Sequence, residues 1–429
     1  MPSESAAPAP VPAAVAGVAI TPIKHVVVIL KENRSFDEYF GKFPGANGAT
    51  TALNSHGQIV QLAETPDSLP NDIGHLPSSF AIAYDHGRMD GFDRETGAIS
   101  ARGAPLALSQ MSRWQIPNYW AYARTYALGD NMFADWKGAS FANNLYQIAA
   151  QAGRYDPALG GRTVYNNPSS PSVPNLKVWG CDDPPDTVVK MVAADGSLTS
   201  RFPCFGFQSL PNVLSNHGVS WNFFSSINGD FHHNALDALT PVRRNAVLWS
   251  MVKPTSAFVD EAQSGTLPAV SWVTSNQNEH PPKSACAGEN ETVRLVNDVM
   301  SGRDWSSTAI FVVWDEWGGF YDHVKPPQID RVSYGFRTPL LVISPFTKRG
   351  NSGGGGSIDH TLYSHVSLLK FIETNWVLPS LTPRDAASNT MMDLFNFVGT
   401  PRPALRLNTR TCPVLTAAQR LLVATEGRD

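Results

Sequence analysis

Charge is scarce in this chain. Of 429 residues only 16% are Asp, Glu, Lys or Arg, against roughly 25% in an average globular protein. The 33 basic and 37 acidic residues leave a formal net charge of −4, which gives no electrostatic reason to expect a nucleic-acid partner. Cysteine is rare too. Cys181, Cys204, Cys286 and Cys412 form no C-x-x-C pair, which argues against a zinc ribbon or a thioredoxin-like site. No apolar run approaches the ~20 residues that a membrane helix needs, so no transmembrane segment is expected. The opening MPSESAAPAPVPAAVAGVAITPIKH lacks both a basic n-region and an unbroken apolar core. It is not an intact export signal, and residues 1–23 are expected to form a flexible Ala/Pro-rich segment.

What is present is core-forming. The chain is 42% hydrophobic, which rules out a disordered chain, a coiled coil or a collagen-like fibre. Strand-like runs stand at His25–Leu30, Val219–Phe224, Ala269–Val273, Ala309–Trp314 and Leu340–Ser344. The first, fourth and fifth are near-continuously apolar, as expected for strands buried on both faces of a sheet. Between them, Thr361–Trp376 and Thr292–Met300 keep their apolar residues at helical spacing. Strands alternating with helices in this way imply an α/β layered fold with a mostly parallel sheet. Gly and Pro number 33 each and concentrate in insertions. Residues 155–208, loop-like by composition, are expected to cover one end of the sheet. The even count and wide spacing of the cysteines suit buried free thiols or one or two disulfides. Residues 155–208 carry Cys181 and Cys204, between which one bridge is expected, and a bridge there would imply an oxidising compartment. The SGGGGS run at 352–357 reads as a flexible loop.

Two clusters of chemistry-bearing residues follow buried strands directly. Glu32 and Asn33 come after the first strand, and Asp315 and Glu316 come after AIFVVW. In an open α/β sheet ligands gather at the carboxyl ends of strands. If the two strands are near neighbours, three carboxylates and an amide converge, and like charges in one site call for a cation. An all-oxygen set suits one divalent ion such as Mg²⁺, Ca²⁺ or Mn²⁺ more than zinc. A third feature, GASFANNLY at 138–146, opens a helix and puts Ser140 near its N-terminus. There Ser140 is either a helix cap or a nucleophile facing an anion held by the helix dipole. His232 and His233 belong either to a turn or to a second wall of the site. Arg337 is either a structural ion-pair partner or a phosphate contact.

HVVVILKENRSFDEYFG at 25–41, DIGH at 72–75, GRMDGF at 87–92, SFANNLY at 140–146, NEHPP at 278–282, DEWGGFYDHVKPP at 315–327, YGFRTPLLVISPF at 334–346 and DHTLYSHVSLLKFIE at 359–373 occur in this order. Together they resemble the bacterial phosphoesterase family, which contains the non-specific phospholipases C and an acid phosphatase. The resemblance implies an alkaline-phosphatase-like three-layer sandwich with long loop insertions, built as one domain over residues 24–429. It implies one metal ion on Glu32, Asn33, Asp315 and Glu316, and Ser140 as the nucleophile of a phosphoserine intermediate. Asn143 would contact the phosphate, with Arg337 beside it, and His75, His280 and His323 would line the site, His280 as first choice of general acid. The expected substrate is a phosphate ester, phospholipase C-type diesters ahead of monoesters, with a phospholipid head group as one form, and the expected location is secreted or periplasmic.

The sequence departs from the family pattern in places. Lys31 stands where Gln is common, Trp317 where His is common, and SFANN replaces a more usual Thr-x-Pro-Asn-Arg. Two other readings are weaker. Gly-Ala-Ser-Phe-Ala is a near miss of the G-x-S-x-G elbow of serine carboxylesterases, but MFADWK is a poor buried strand to precede it. A non-catalytic binding protein on this fold would have lost a ligand or the hydroxyl, and none is lost.

Overall fold

The structure is a computed structural model, and it describes residues 15–173, 176, 178–226, 233–328, 334–350, 355–414, 416–417 and 419–421. Its frame is an eight-stranded sheet. In chain order the strands are β1 (His25–Lys31), β2 (Ala127–Gly129), β3 (Trp221–Ser225), β4 (Val252–Pro254), β5 (Val270–Thr274), β6 (Thr308–Trp314), β7 (Leu340–Ile343) and β8 (Ser357–Asp359). Across the sheet they lie in the order β4-β3-β5-β1-β6-β7-β2-β8. The five strands from β4 to β6 are parallel; β7 runs against both its neighbours, and β8 pairs parallel with β2. All five strand-like runs read from the sequence lie in this sheet.

Burial on both faces makes three layers. The side chains of β1 alternate, Val26, Val28 and Leu30 joining one core and Val27 and Ile29 the other. On the first face pack α3 (Ser140–Ala149) and α6 (His365–Trp376), through Phe141, Leu145, Val366 and Leu369. On the second face lie α1 (Phe36–Phe40), α2 (Pro117–Thr125), α4 (Thr255–Ser264) and α5 (Ala285–Ser301). A third, smaller core joins residues 52–108 to Trp317, Phe320 and Phe336 over the carboxyl ends of the strands.

The insertions carry more order than their composition suggests. Within 155–208, Thr163–Val164, Val189–Val192 and Leu198–Arg201 form a small antiparallel sheet. Cys181 and Cys204 are bridged as expected, and a second disulfide joins Cys286 to Cys412. Of the N-terminal segment expected to be flexible, residues 1–14 lie outside the described residues. From Gly17 onward the backbone is held instead: Gly17 and Ile20 donate to the carbonyls of Trp376 and Asn375, and Ile23 is fully buried. The SGGGGS run lies outside the described residues at 352–354, and its last serine opens β8.

Candidate active site

The register of the two central strands builds the site. β1 and β6 pair in parallel from His25 opposite Thr308 to Lys31 opposite Trp314. Glu32 and Asn33 therefore leave the sheet beside Asp315 and Glu316. The junction is fixed by backbone: Asp315 N–H donates to the Lys31 carbonyl, and Asn33 N–H donates to Asp315 Oδ1 at 3.0 Å. Asn33 sits at φ 56°, a left-handed conformation that Asn tolerates better than most residues. Gly318, at φ 64°, has its Cα so close to the Asn33 carbonyl that a Cβ would stand 2.5 Å from that oxygen. Only glycine lets the second strand's exit fold against the first.

Ser140 arrives from the other face of the sheet as the first residue of α3. It does not cap the helix, since the N-cap is Ala139 and no side chain bonds there. Its Oγ instead lies 3.5 Å from Glu32 Oε2, and its hydroxyl also steadies the Asp315 carboxylate. The approach depends on Gly138 at φ 105°, where a Cβ would stand 2.1 Å from the His75 carbonyl oxygen. Ala139 N–H then donates to that same carbonyl, so the serine and His75 are set by one backbone contact. Asn167, from the 155–208 insertion, accepts from Phe141 N–H at 3.0 Å and braces the helix start.

Two histidines face this group. His75 Nδ1 lies 2.6 Å from the Ile73 carbonyl and His280 Nδ1 2.6 Å from the Pro281 carbonyl. Each contact requires the proton on Nδ1, leaving Nε2 of each ring as its exchangeable position. His75 Nε2 receives the Asn33 amide at 3.2 Å and stands 4.0 Å from Glu316. The two rings meet edge to face with centroids 5.3 Å apart. His233 joins them from the opposite wall, its Nδ1 2.7 Å from Glu32 Oε1 and its Nε2 2.9 Å from the Asn278 amide. Both readings open for the His232–His233 pair apply to His233, which sits in a turn and stands against Glu32; His232 lies outside the described residues.

The four oxygen-bearing residues fit a cation. Asn33 Oδ1, Asp315 Oδ2 and Glu316 Oε2 are buried without a hydrogen-bond partner, a costly condition for any carboxylate. Burial and then Glu32 push the Asp315 carboxyl up to about 6. Glu316 is driven well above the ordinary carboxylate range by burial and then by Asp315. Positive charge at these atoms would relieve both conditions, and an all-oxygen set favours a hard divalent ion. Close by, ligand atoms of Asp72, His75 and His280 also lie within 4.8 Å of one another.

Three residues expected in the site are used elsewhere. Arg337 is fully buried and spends its guanidinium on Asp37, Asp322 and the carbonyls of Asn47 and Asp130. It is the structural ion-pair partner of the two readings. His323 belongs to the same knot, with Nδ1 2.6 Å from Asp37 and Nε2 3.2 Å from Asn47. Burial pulls its pKa down, but Asp37 outweighs that and the net shift is upward. Asp37, Asp322 and His323 also have the spacing of a metal cluster, with Arg337 supplying its positive charge. Asn143 turns its amide back on Trp136, accepting from that residue's N–H at 2.9 Å, and so shapes the loop before Ser140.

Sequence reasoning missed Glu279. Its buried carboxylate accepts from Tyr39 Oη at 2.7 Å, from Trp314 Nε1 at 3.1 Å and from the Tyr119 hydroxyl, and pairs with Lys31 at 3.1 Å. It sits at φ 78° immediately before His280. The signal available was an acidic residue inside NEHPP, next to a histidine already singled out.

The profile of the Phosphoesterase family matches residues 23–379. Phospholipase C A of Mycobacterium tuberculosis is 27% identical over 468 aligned residues, covering 94% of this chain and 82% of its own. Hemolytic phospholipase C of Pseudomonas aeruginosa is 25% identical, covering 89% of this chain and 57% of its own. Overlap with a solved alkaline phosphatase superfamily protein from Vibrio parahaemolyticus reaches a TM-score of 0.35 at 12% identity, over 88% of this chain and 71% of that one. That overlap is too loose to carry weight.

Proposed function

The chain belongs to the Phosphoesterase family, and from that premise we propose a secreted, metal-dependent phosphodiesterase of the phospholipase C type that works through a phosphoserine at Ser140. That it is a hydrolase of phosphoric ester bonds follows from the family and from its phospholipase C relatives. The finer reading rests on one observation. A serine hydroxyl at a helix N-terminus is held against Glu32 and Asp315, beside three buried oxygens that lack partners.

A divalent ion on Glu32, Asn33, Asp315 and Glu316 would lower the proton affinity of the Ser140 hydroxyl and polarise a phosphoryl oxygen. Ser140 Oγ passes its proton to the Glu32 carboxylate and attacks phosphorus in line, its O–P bond forming as the bond to the leaving alcohol's oxygen breaks. The start of α3 favours the negative charge on the equatorial oxygens. His280 donates the proton the leaving oxygen needs from Nε2, the Pro281 carbonyl holding the ring by Nδ1. Water then attacks the phosphoserine, a histidine takes its proton, and Ser140 leaves, recovering its own proton from Glu32. The two disulfides support an oxidising compartment. No helix among the described residues is long and apolar enough to cross a membrane.

The test compares p-nitrophenyl phosphate with bis(p-nitrophenyl) phosphate, for the wild type and Ser140→Ala. Loss of roughly 10³-fold or more in kcat is expected for the variant, with the diester preferred by the wild type. Undiminished turnover in Ser140→Ala would remove the serine from the mechanism. A strong preference for the monoester would make the protein a phosphatase of the acid phosphatase kind instead.

A further inference from the structure

A cavity of about 490 Å³ opens against His75, within the size range of small-molecule sites. One wall is the 72–79 turn that carries His75; the other is Asn166 to Ser169 of the 155–208 insertion. Its lining is polar in a particular way. Asn167 Oδ1 accepts from Phe141 N–H, one residue past Ser140, and Asn166 Oδ1 accepts from Lys190 N–H at 2.8 Å. With both carbonyl oxygens tied to backbone, the two amides are fixed, and each has its NH₂ end left to donate. The rest of the lining includes Ser79, Thr96 and Asp72, whose Oδ1 accepts from Ile73 N–H and whose Oδ2 lies 3.8 Å from His75 Nδ1. Among the described residues the lining holds no Lys or Arg, and its one aromatic ring is His75.

Resting on the phosphoesterase reading above, we propose that this cavity receives an uncharged polyol, such as glycerol or inositol, carried on the phosphate as the group that stays with Ser140. Fixed amide donors match hydroxyl oxygens, and a carboxylate accepts from adjacent hydroxyls. A quaternary ammonium would need aromatic faces around it, which this lining does not offer. A second phosphate would need cationic donors, which are equally missing from it. Asn167 is bonded to the residue after Ser140, and the His75 carbonyl accepts from Ala139 N–H, so two residues of the lining adjoin the start of α3. The insertion thereby sets specificity.

Calorimetric titration of Ser140→Ala with glycerol 3-phosphate and with phosphocholine reads the cavity without turnover. Glycerol 3-phosphate is expected to bind at least tenfold more tightly, and Asn166→Ala to shrink that advantage several-fold. Equal or tighter binding of phosphocholine overturns the assignment. With wild-type protein, phosphatidylglycerol in mixed micelles should exceed phosphatidylcholine at least tenfold in kcat/KM, and a reversed ratio also overturns it. Including glycerophosphoglycerol separates sources: faster turnover of the micellar substrate assigns a lipid head group, and faster turnover of the soluble one a free diester. Either result supports the polyol. Failure of the wild type on every phosphoester strikes the catalytic reading instead, and the titration still decides the cavity.

Discussion

Lys31 and Glu279 form a buried pair beneath the site, both side chains inaccessible to solvent. Lys31 Nζ also donates to Ser275 Oγ and to the carbonyls of Gln277 and Gly288. The pair therefore ties the 275–282 segment, and with it His280, to the end of β1. A buried ion pair adds little net stability, but breaking one partner leaves a naked charge. Glu279→Gln is expected to cost about 3–5 kcal/mol, read as a fall in the denaturant midpoint, and to lower kcat through misplacement of His280. Adding Lys31→Gln should restore at least half of the lost stability, because the remaining groups are neutral and can still hydrogen-bond. Additive losses in the double variant would show that the pair is not coupled. A lower kcat in Glu279→Gln would make Glu279 a positioning residue. The departure of Lys31 from the family's Gln was visible in the sequence, but its partner was not. The two residues are far apart in the chain, and nothing local marks a glutamate as buried.

At the level of elements, the strands were legible because burial on both faces leaves unbroken apolar runs, as in AIFVVW. The helix at Ser140 was legible for its position but not for the serine's partner, since capping and nucleophile geometries share one local sequence. Arg337 and His323 were drawn toward the site by their motifs, and only the fold reveals that Asp37 and Asp322 claim them first. Four cysteines left room for a second disulfide, but its pairing was hidden for another reason. Cys412 lies on a C-terminal segment whose periodicity is weak, yet it is strapped across α5 by Arg410 on Glu289 and by the Cys286 bridge. The bridge closes a separation of 126 residues, against 23 for Cys181–Cys204. In the chain-entropy account, losing it costs about 5 kcal/mol, against about 3 for the shorter one. Replacing Cys286 and Cys412 together by serine should therefore shift the guanidinium midpoint more than replacing Cys181 and Cys204. An equal or smaller shift would mean that strain or residual structure, not loop closure, sets the contribution.

For the whole molecule, the decisive feature is where the four candidate ligands are attached. They hang from β1 and β6, the paired strands in the middle of the sheet, with an apolar core on each face. Such strands do not open by local fluctuation, and their amides exchange with solvent when the entire domain unfolds. A cation held there would be anchored at the ends of these strands. It would then be linked to the global folding equilibrium, worth about 2.7 kcal/mol at a hundredfold excess over its Kd. Adding Mg²⁺, Ca²⁺ or Mn²⁺ to chelated protein should slow deuterium uptake in β1, β5 and β6 by one common factor. Slowing confined to residues 315–323 would mean that the ion sits on a locally mobile turn. Occupancy of the centre would then act as a quality check on the chain, leaving copies without the ion more exposed to proteolysis than loaded ones.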